Sequence, residues 1–316
     1  MANKWKIISL AVTALVLIAV FMLIRVEGNW SYILKLRGLK VSAIVLTGAS
    51  IALATVVFQT ITNNRILTPS IIGLDSVYML LQTFIIFVFG SGSKSVNDKS
   101  LNFLLSLGLM VLFAMLLYKV LFRKENSNIY HLLLIGMVFG TLFGTMTTFM
   151  QVLIDPNEFL VVQGKMFASF NRMNTDILIL AVIAIALIVL YFMKFAKYLD
   201  ALSLGKDHAV NLGIPYQFTI KRLLIVVSVL MAVSTALVGP ITFLGLLVAN
   251  VAYQLFKTYR HNILIPGCML ISIIALVGGQ LVVERVFTFS TTLSVIINLI
   301  GGVYFLFLLL KENKSW

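Results

Sequence analysis

Apolar residues in this chain gather into long runs that recur from one end to the other. About ten such runs reach or approach the ~18 residues needed to cross a ~30 Å hydrocarbon core at ~1.5 Å per residue. They cover 7–26, 42–62, 70–90, 101–121, 130–152, 176–193, 222–238, 241–256, 263–283 and 293–310. The eighth is short for a full crossing. Because lipid offers no water to unpaired backbone groups, a spanning segment must close its hydrogen bonds as a helix or within a closed barrel. Barrel strands would alternate in polarity, and these runs do not. The expected fold is an all-α polytopic membrane protein of about ten transmembrane helices, with residues 1–316 forming one domain.

Composition agrees: 60% of the 316 residues are hydrophobic and 11% charged, against roughly 45–50% and about 25% in soluble domains. Lys4 and Lys6 precede the first run as in a secretory signal, but the run is too long for an h-region and lacks a small-residue cleavage site. The single cysteine, Cys268, lies inside an apolar run with no partner for a disulfide or thiolate cluster, so it reads as packing.

Charge supplies the orientation. With both termini cytoplasmic, fifteen Lys and Arg fall on inner segments and nine on outer ones, the bias that cytoplasmic loops carry. The +13 net charge is then topological, and no nucleic-acid partner is expected. The outer nine are Arg25, Lys35, Arg37, Lys40, Lys94, Lys99, Lys165, Arg172 and Arg285. Lys35, Arg37 and Lys40 cluster just before the second span, where insertion alone would not favour them. An acidic partner would meet them there; a solvated or lipid-phosphate-facing loop would carry the same charges.

Enzyme chemistry is not expected. ATP hydrolysis would need a glycine-rich loop ending Gly-Lys-Ser/Thr at a helix start. Gly164-Lys165-Met166 and Gly205-Lys206-Asp207 both fail, and GSGSKS at 90–95 has the wrong spacing and an outer position. GAS at 48–50 places a serine in a span, but a nucleophile needs a histidine base, and His131, His208 and His261 lie in or beside inner loops. No HExxH, EF-hand loop or Cys/His cluster occurs, so neither metal nor cofactor is expected. Asp75 is the clearest ionisable candidate for ion coupling, yet near the inner N-terminal end of the third span the helix dipole accounts for it.

Ordered motifs say more. Residues 37–73 read RGLKVSAIVLTGASIALATVVFQTITNNRILTPSIIG. Arg37, Gly48, Gln59, Asn64, Pro69 and Gly73 in this spacing resemble the opening signature of the ferric-siderophore and cobalamin ABC importer permeases, the FecCD-type family. A second block, LVGPITFLGLLVANVAYQLFKTYRHNILIPG at 237–267, is similar to the family's Gly-x-Ile-x-Phe-x-Gly-Leu segment and its His-containing inner loop. Gly239, Ile241, Phe243, Gly245, Leu246, His261, Leu264 and Pro266 match. Ala249 and Asn250 stand where Pro-His is usual, Tyr253 where arginine is common, and the loop is one residue longer, as in a divergent branch. Gly301 and Gly302 resemble the closing helix, with Val303 where proline is common.

The resemblance implies a membrane permease subunit of an ATP-driven importer for iron-siderophore complexes in a bacterial plasma membrane. It implies as partners a second permease subunit, the same or homologous, with two cytoplasmic ATPase subunits and an extracytoplasmic substrate-binding protein. The same scaffold resembles cobalamin and haem permeases. An ion-coupled secondary transporter and a structural or sensory membrane protein are rivals from other classes.

Three groups of candidate residues follow. Basic residues at the positions of Arg37, Lys40 and Arg285 meet the binding protein's carboxylates in the family, and Glu284 stands beside Arg285 in position to blunt it. The inner stretch 199–224 is similar to the family's paired coupling helices. Leu204, Gly205, Ala209, Leu212 and Gly213 fit a short amphipathic helix with a glycine stop and Pro215 beyond. Thr141, Thr145, Thr148 and Gln151 share one face of the fifth span. That face lines a translocation path, or it hydrogen-bonds to neighbouring helices.

Overall fold

The computed structural model describes residues 2–25, 29–93, 96, 98–121, 129–171, 174–289 and 291–312. Among the described residues there are thirteen α-helices: α1 (Ala2–Leu23), α2 (Trp30–Thr62), α3 (Leu74–Phe89), α4 (Lys99–Leu121), α5 (Ile129–Leu153), α6 (Pro156–Met166), α7 (Thr175–Ala196), α8 (Leu199–Leu202), α9 (Lys206–Asn211), α10 (Tyr216–Val238), α11 (Leu244–Phe256), α12 (His261–Arg285) and α13 (Leu293–Glu312). Among the described residues, each of the ten apolar runs falls mainly on one helix. Seven helices are long and apolar enough to cross a membrane by length and composition, while α3, α11 and the Leu293–Phe307 part of α13 are apolar but shorter.

Two helices make the centre. α2 and α10 each bury 72% of their most apolar window and pack against one another. α12 lies along α2, α4 and α7 flank α10, and α1, only 11% buried in that window, leans on α12. α11 is held by α2, α12 and α13, and α5 packs on α3.

The α3–α5 approach depends on glycine. A 3-10 turn, Pro69–Ile72, ends at Gly73 with φ 87°, a left-handed conformation open to glycine at little cost. A Cβ there would stand 3.0 Å from Gly136 O and 3.2 Å from Gly140 Cα. Asp75 follows in the first turn of α3, at the dipole position expected of it, and accepts from Thr235 Oγ1 at 3.2 Å.

Two elements differ from expectation. α2 begins at Trp30, not at 42, because Asn29 caps it by accepting from the Tyr32 N–H at 3.3 Å. Lys35, Arg37 and Lys40 therefore stand on a helix and not in a loop. α6 forms where no element was expected: the Asp155 carboxylate accepts from the Asn157 N–H at 2.9 Å, and Pro156 fills the first helical position. Of the charges used for orientation, Lys94, Arg123, Lys124, Arg172 and Lys314 lie outside the described residues, as does Ser95 of the GSGSKS stretch.

Candidate functional site

Arg37, Lys40 and Arg285 come together at one end of the bundle, around a cavity of about 430 Å³ that Asn171, Glu284 and Phe289 also line. Helix ends leave carbonyls unpaired, and Arg37 takes up those of α1. Its Nη1 donates to Phe21 O, Met22 O and Ile24 O at 3.1, 2.8 and 2.9 Å, and its Nη2 to Arg25 O at 3.3 Å. Lys40 Nζ lies 3.0 Å from Glu284 Oε1, with the side chains 20% and 10% exposed. Gln280 Nε2 donates to the same oxygen at 2.9 Å. Glu284 thus turns to Lys40 and not to the neighbouring Arg285. Arg285 donates from Nη2 to Ile24 O at 3.1 Å, while its buried Nε has no acceptor among the described residues.

The opposite end carries the expected pair of short helices, α8 and α9. Leu204 and Leu212 are well exposed, as is Val210, whereas Ala209 is buried together with Leu199 and Leu202. The element thus has an anchored underside and an apolar crest. Gly205 adopts φ 95°, ψ 169°, a region essentially confined to glycine, and Gly213 has φ 77°. A Cβ at either would meet nothing within 4 Å, so backbone conformation and not space calls for glycine there.

Asp200 of α8 fastens this element to α12. Its Oδ1 accepts from the His261 backbone N–H at 2.9 Å and lies 2.6 Å from His261 Nδ1. Partial burial opposes its ionisation, but the bonds from the His261 N–H and ring, with the charge of Arg260, hold the carboxyl below its usual range. On the far side of the ring, His261 Nε2 is 2.7 Å from Thr60 Oγ1 of α2. Thr60 is buried, and its hydroxyl also lies 2.8 Å from Val56 O of its own helix, so its one hydrogen can serve either neighbour. Asp200, Thr60 and Val210 escaped sequence reasoning.

On α5, Thr141, Thr145 and Thr148 share an exposed face. Their hydroxyls donate back to Met137 O, Thr141 O and Gly144 O, at 2.9, 2.9 and 3.0 Å. Among the described residues, none of these hydroxyls bonds to a neighbouring helix. Gln151 follows on the same helix, with a buried Nε2 lacking a partner among the described residues.

Residues 4–311 match the FecCD transport family. The chain is 61% identical over 316 residues, all of both proteins, to the petrobactin import system permease protein YclO of Bacillus subtilis. It is 35% identical to the petrobactin import system permease protein FatC of Bacillus anthracis, over 89% of this chain and 79% of that protein. Its fold is similar to that of a solved metal-chelate type ABC transporter in an inward-facing conformation. The TM-score is 0.85 and the identity 22%, covering 98% of this chain and 99% of the other.

Proposed function

The chain belongs to the FecCD transport family, and from that premise we propose that its cargo is a ferric siderophore of the petrobactin type. It is a permease subunit of an ABC import system, a transport component and not an enzyme, and a multi-pass protein of a bacterial plasma membrane. The observation that carries the cargo reading is the 61% identity to a petrobactin import permease along the entire chain.

In this reading the seven long spans and the three shorter apolar helices make ten crossings, with both termini cytoplasmic. The Arg37–Lys40–Arg285 cavity then faces outward and receives an acidic surface of a substrate-binding protein. The crest of Leu204, Val210 and Leu212 faces inward and seats in a groove of an ATPase subunit, as short helices do with soluble partners. A second permease, the same or a homologous chain, completes the path, and the exposed threonine face of α5 turns towards it. Two ATPases drive the pair between outward- and inward-facing arrangements.

The test is uptake of radioiron-labelled petrobactin into liposomes holding this chain, its partner permease and the ATPase, with binding protein outside and ATP inside. Uptake that needs both ATP and ATPase supports the reading. Uptake driven by a proton or sodium gradient with this chain alone would overturn it. Cobalamin transport in place of the iron chelate would keep the importer and replace the cargo.

A further inference from the structure

α2 and α12 run side by side in opposite directions, and a polar tie joins them near each end. At one end Lys40 Nζ meets Glu284 Oε1 at 3.0 Å; at the other Thr60 Oγ1 lies 2.7 Å from His261 Nε2. From Lys40 to Thr60 the chain rises about 30 Å, and from His261 to Glu284 about 35 Å, at ~1.5 Å per residue. That matches the ~30 Å hydrocarbon core, so the ties fall at its two faces.

The tie at His261 continues beyond the helix pair. His261 is the first residue of α12, and both its backbone N–H and its Nδ1 meet one oxygen of Asp200, on α8. An ionised carboxylate only accepts, so Nδ1 carries the hydrogen; in the neutral ring Nε2 then accepts from the Thr60 hydroxyl, which holds the ring between Asp200 and α2. Three elements are thereby joined through one side chain: the short-helix element, α12 and α2. Apolar packing would hold them together at lower desolvation cost. Hydrogen bonds add direction, because they fix the angle of the ring and the register of the three helices. A shift of α8 is then delivered to α2 and α12 together.

We propose that Asp200, His261 and Thr60 are positioning residues for energy coupling, passing displacement of the α8–α9 element into the α2–α12 pair. The far end of that pair bears Arg37, Lys40 and Arg285. The proposal rests on the permease reading above.

The experiment uses the complete importer in liposomes and measures petrobactin-borne iron imported and ATP hydrolysed in the same vesicles. Thr60→Val removes the hydroxyl at constant shape, and Asp200→Ala removes the carboxylate from a side chain that is half exposed. Iron imported per ATP should fall about two- to thirtyfold in each, the range expected when a coupling contact is lost. ATPase association and hydrolysis without binding protein should stay near wild type. Thr60→Ser and Asp200→Asn, which keep the oxygen, should restore most of the ratio. A merely structural role would lower yield or thermal stability and leave the ratio unchanged in assembled complexes, and an unchanged ratio in Thr60→Val and Asp200→Ala overturns the proposal. Should Thr60→Val assemble poorly, Asp200→Ala decides on its own. A wild-type complex that imports no iron with ATP refutes the permease reading instead, before any variant is compared.

Discussion

The ammonium of Lys40 lies 3.0 Å from a carboxylate oxygen of Glu284, a residue 244 positions away in the chain. A charge that sequence reasoning offered to an external partner is thus already neutralised at home. Because both side chains are mostly buried, losing one partner leaves the other charge stranded. Lys40→Ala should therefore destabilise the protein by about 1–3 kcal/mol. Adding Glu284→Gln should recover part of that loss, which thermal unfolding in detergent would show. Equal stability of Lys40→Ala and wild type would mean the pair contributes nothing.

Arg37 holds four carbonyl oxygens at the end of α1, and no ammonium can reproduce that planar fork. Arg37→Lys keeps the charge, so it separates structural from electrostatic roles. We expect α1 to become more sensitive to protease near residue 25, while binding-protein affinity keeps its salt dependence. If the lysine variant loses that dependence instead, geometry at the mouth of the cavity matters more than charge.

At Gly205 and Gly213 the positive φ decides the outcome. Gly213→Val should cost about 1–3 kcal/mol locally and reduce co-purification with the ATPase, with membrane insertion intact. Gly213→Asn should be milder, since asparagine visits the left-handed region more readily. Identical behaviour of the two variants would argue against a backbone cause.

The apolar crest of Leu204, Val210 and Leu212 gives a second handle on ATPase docking. Replacing Leu212 by serine removes exposed apolar area without touching the buried anchors Leu199 and Leu202. ATPase affinity should weaken by about tenfold, measured by titrating the detergent-solubilised complex. A folded variant with unchanged affinity would place the docking surface elsewhere.

For α5, Thr145→Val removes a hydroxyl that bonds only to its own helix among the contacts described. Its effect on assembly should be small. Transport per complex should change by about two- to tenfold if the face lines the path, and this is read by comparing complex yield with uptake.

The apolar runs revealed the helices because in a membrane the solvent itself imposes length and composition. Where other forces shape the chain, the pattern was weaker. Residues 30–41 are too polar to register as a span, and their helicity depends on Asn29 at the cap. Asp155-Pro156 ahead of α6 was a readable start signal, masked by the lack of an apolar run behind it. Gly205 and Gly213 were legible as helix stops from spacing, since a glycine stop is a local feature. The partners of Arg37 and Asp200 were not: Asp200 meets a residue 61 positions on, and periodicity carries no record of such tertiary choices. Val210 resembled any core valine until its exposure was known.

The seating of α1 bears on how the protein is made. This helix buries little apolar surface and is secured instead by polar hooks: Lys6 Nζ donates to Leu255 O at 2.7 Å, and Arg37 and Arg285 grip its other end. Its main packing partner is α12, whose first residue follows the end of α1 by 238 positions. At ~5–20 residues per second, α1 waits on the order of tens of seconds between its own synthesis and that of its seat. The helix is therefore fully seated only after α12 has been made, and a nascent chain ending before residue 255 holds it by α2 and Arg37 alone.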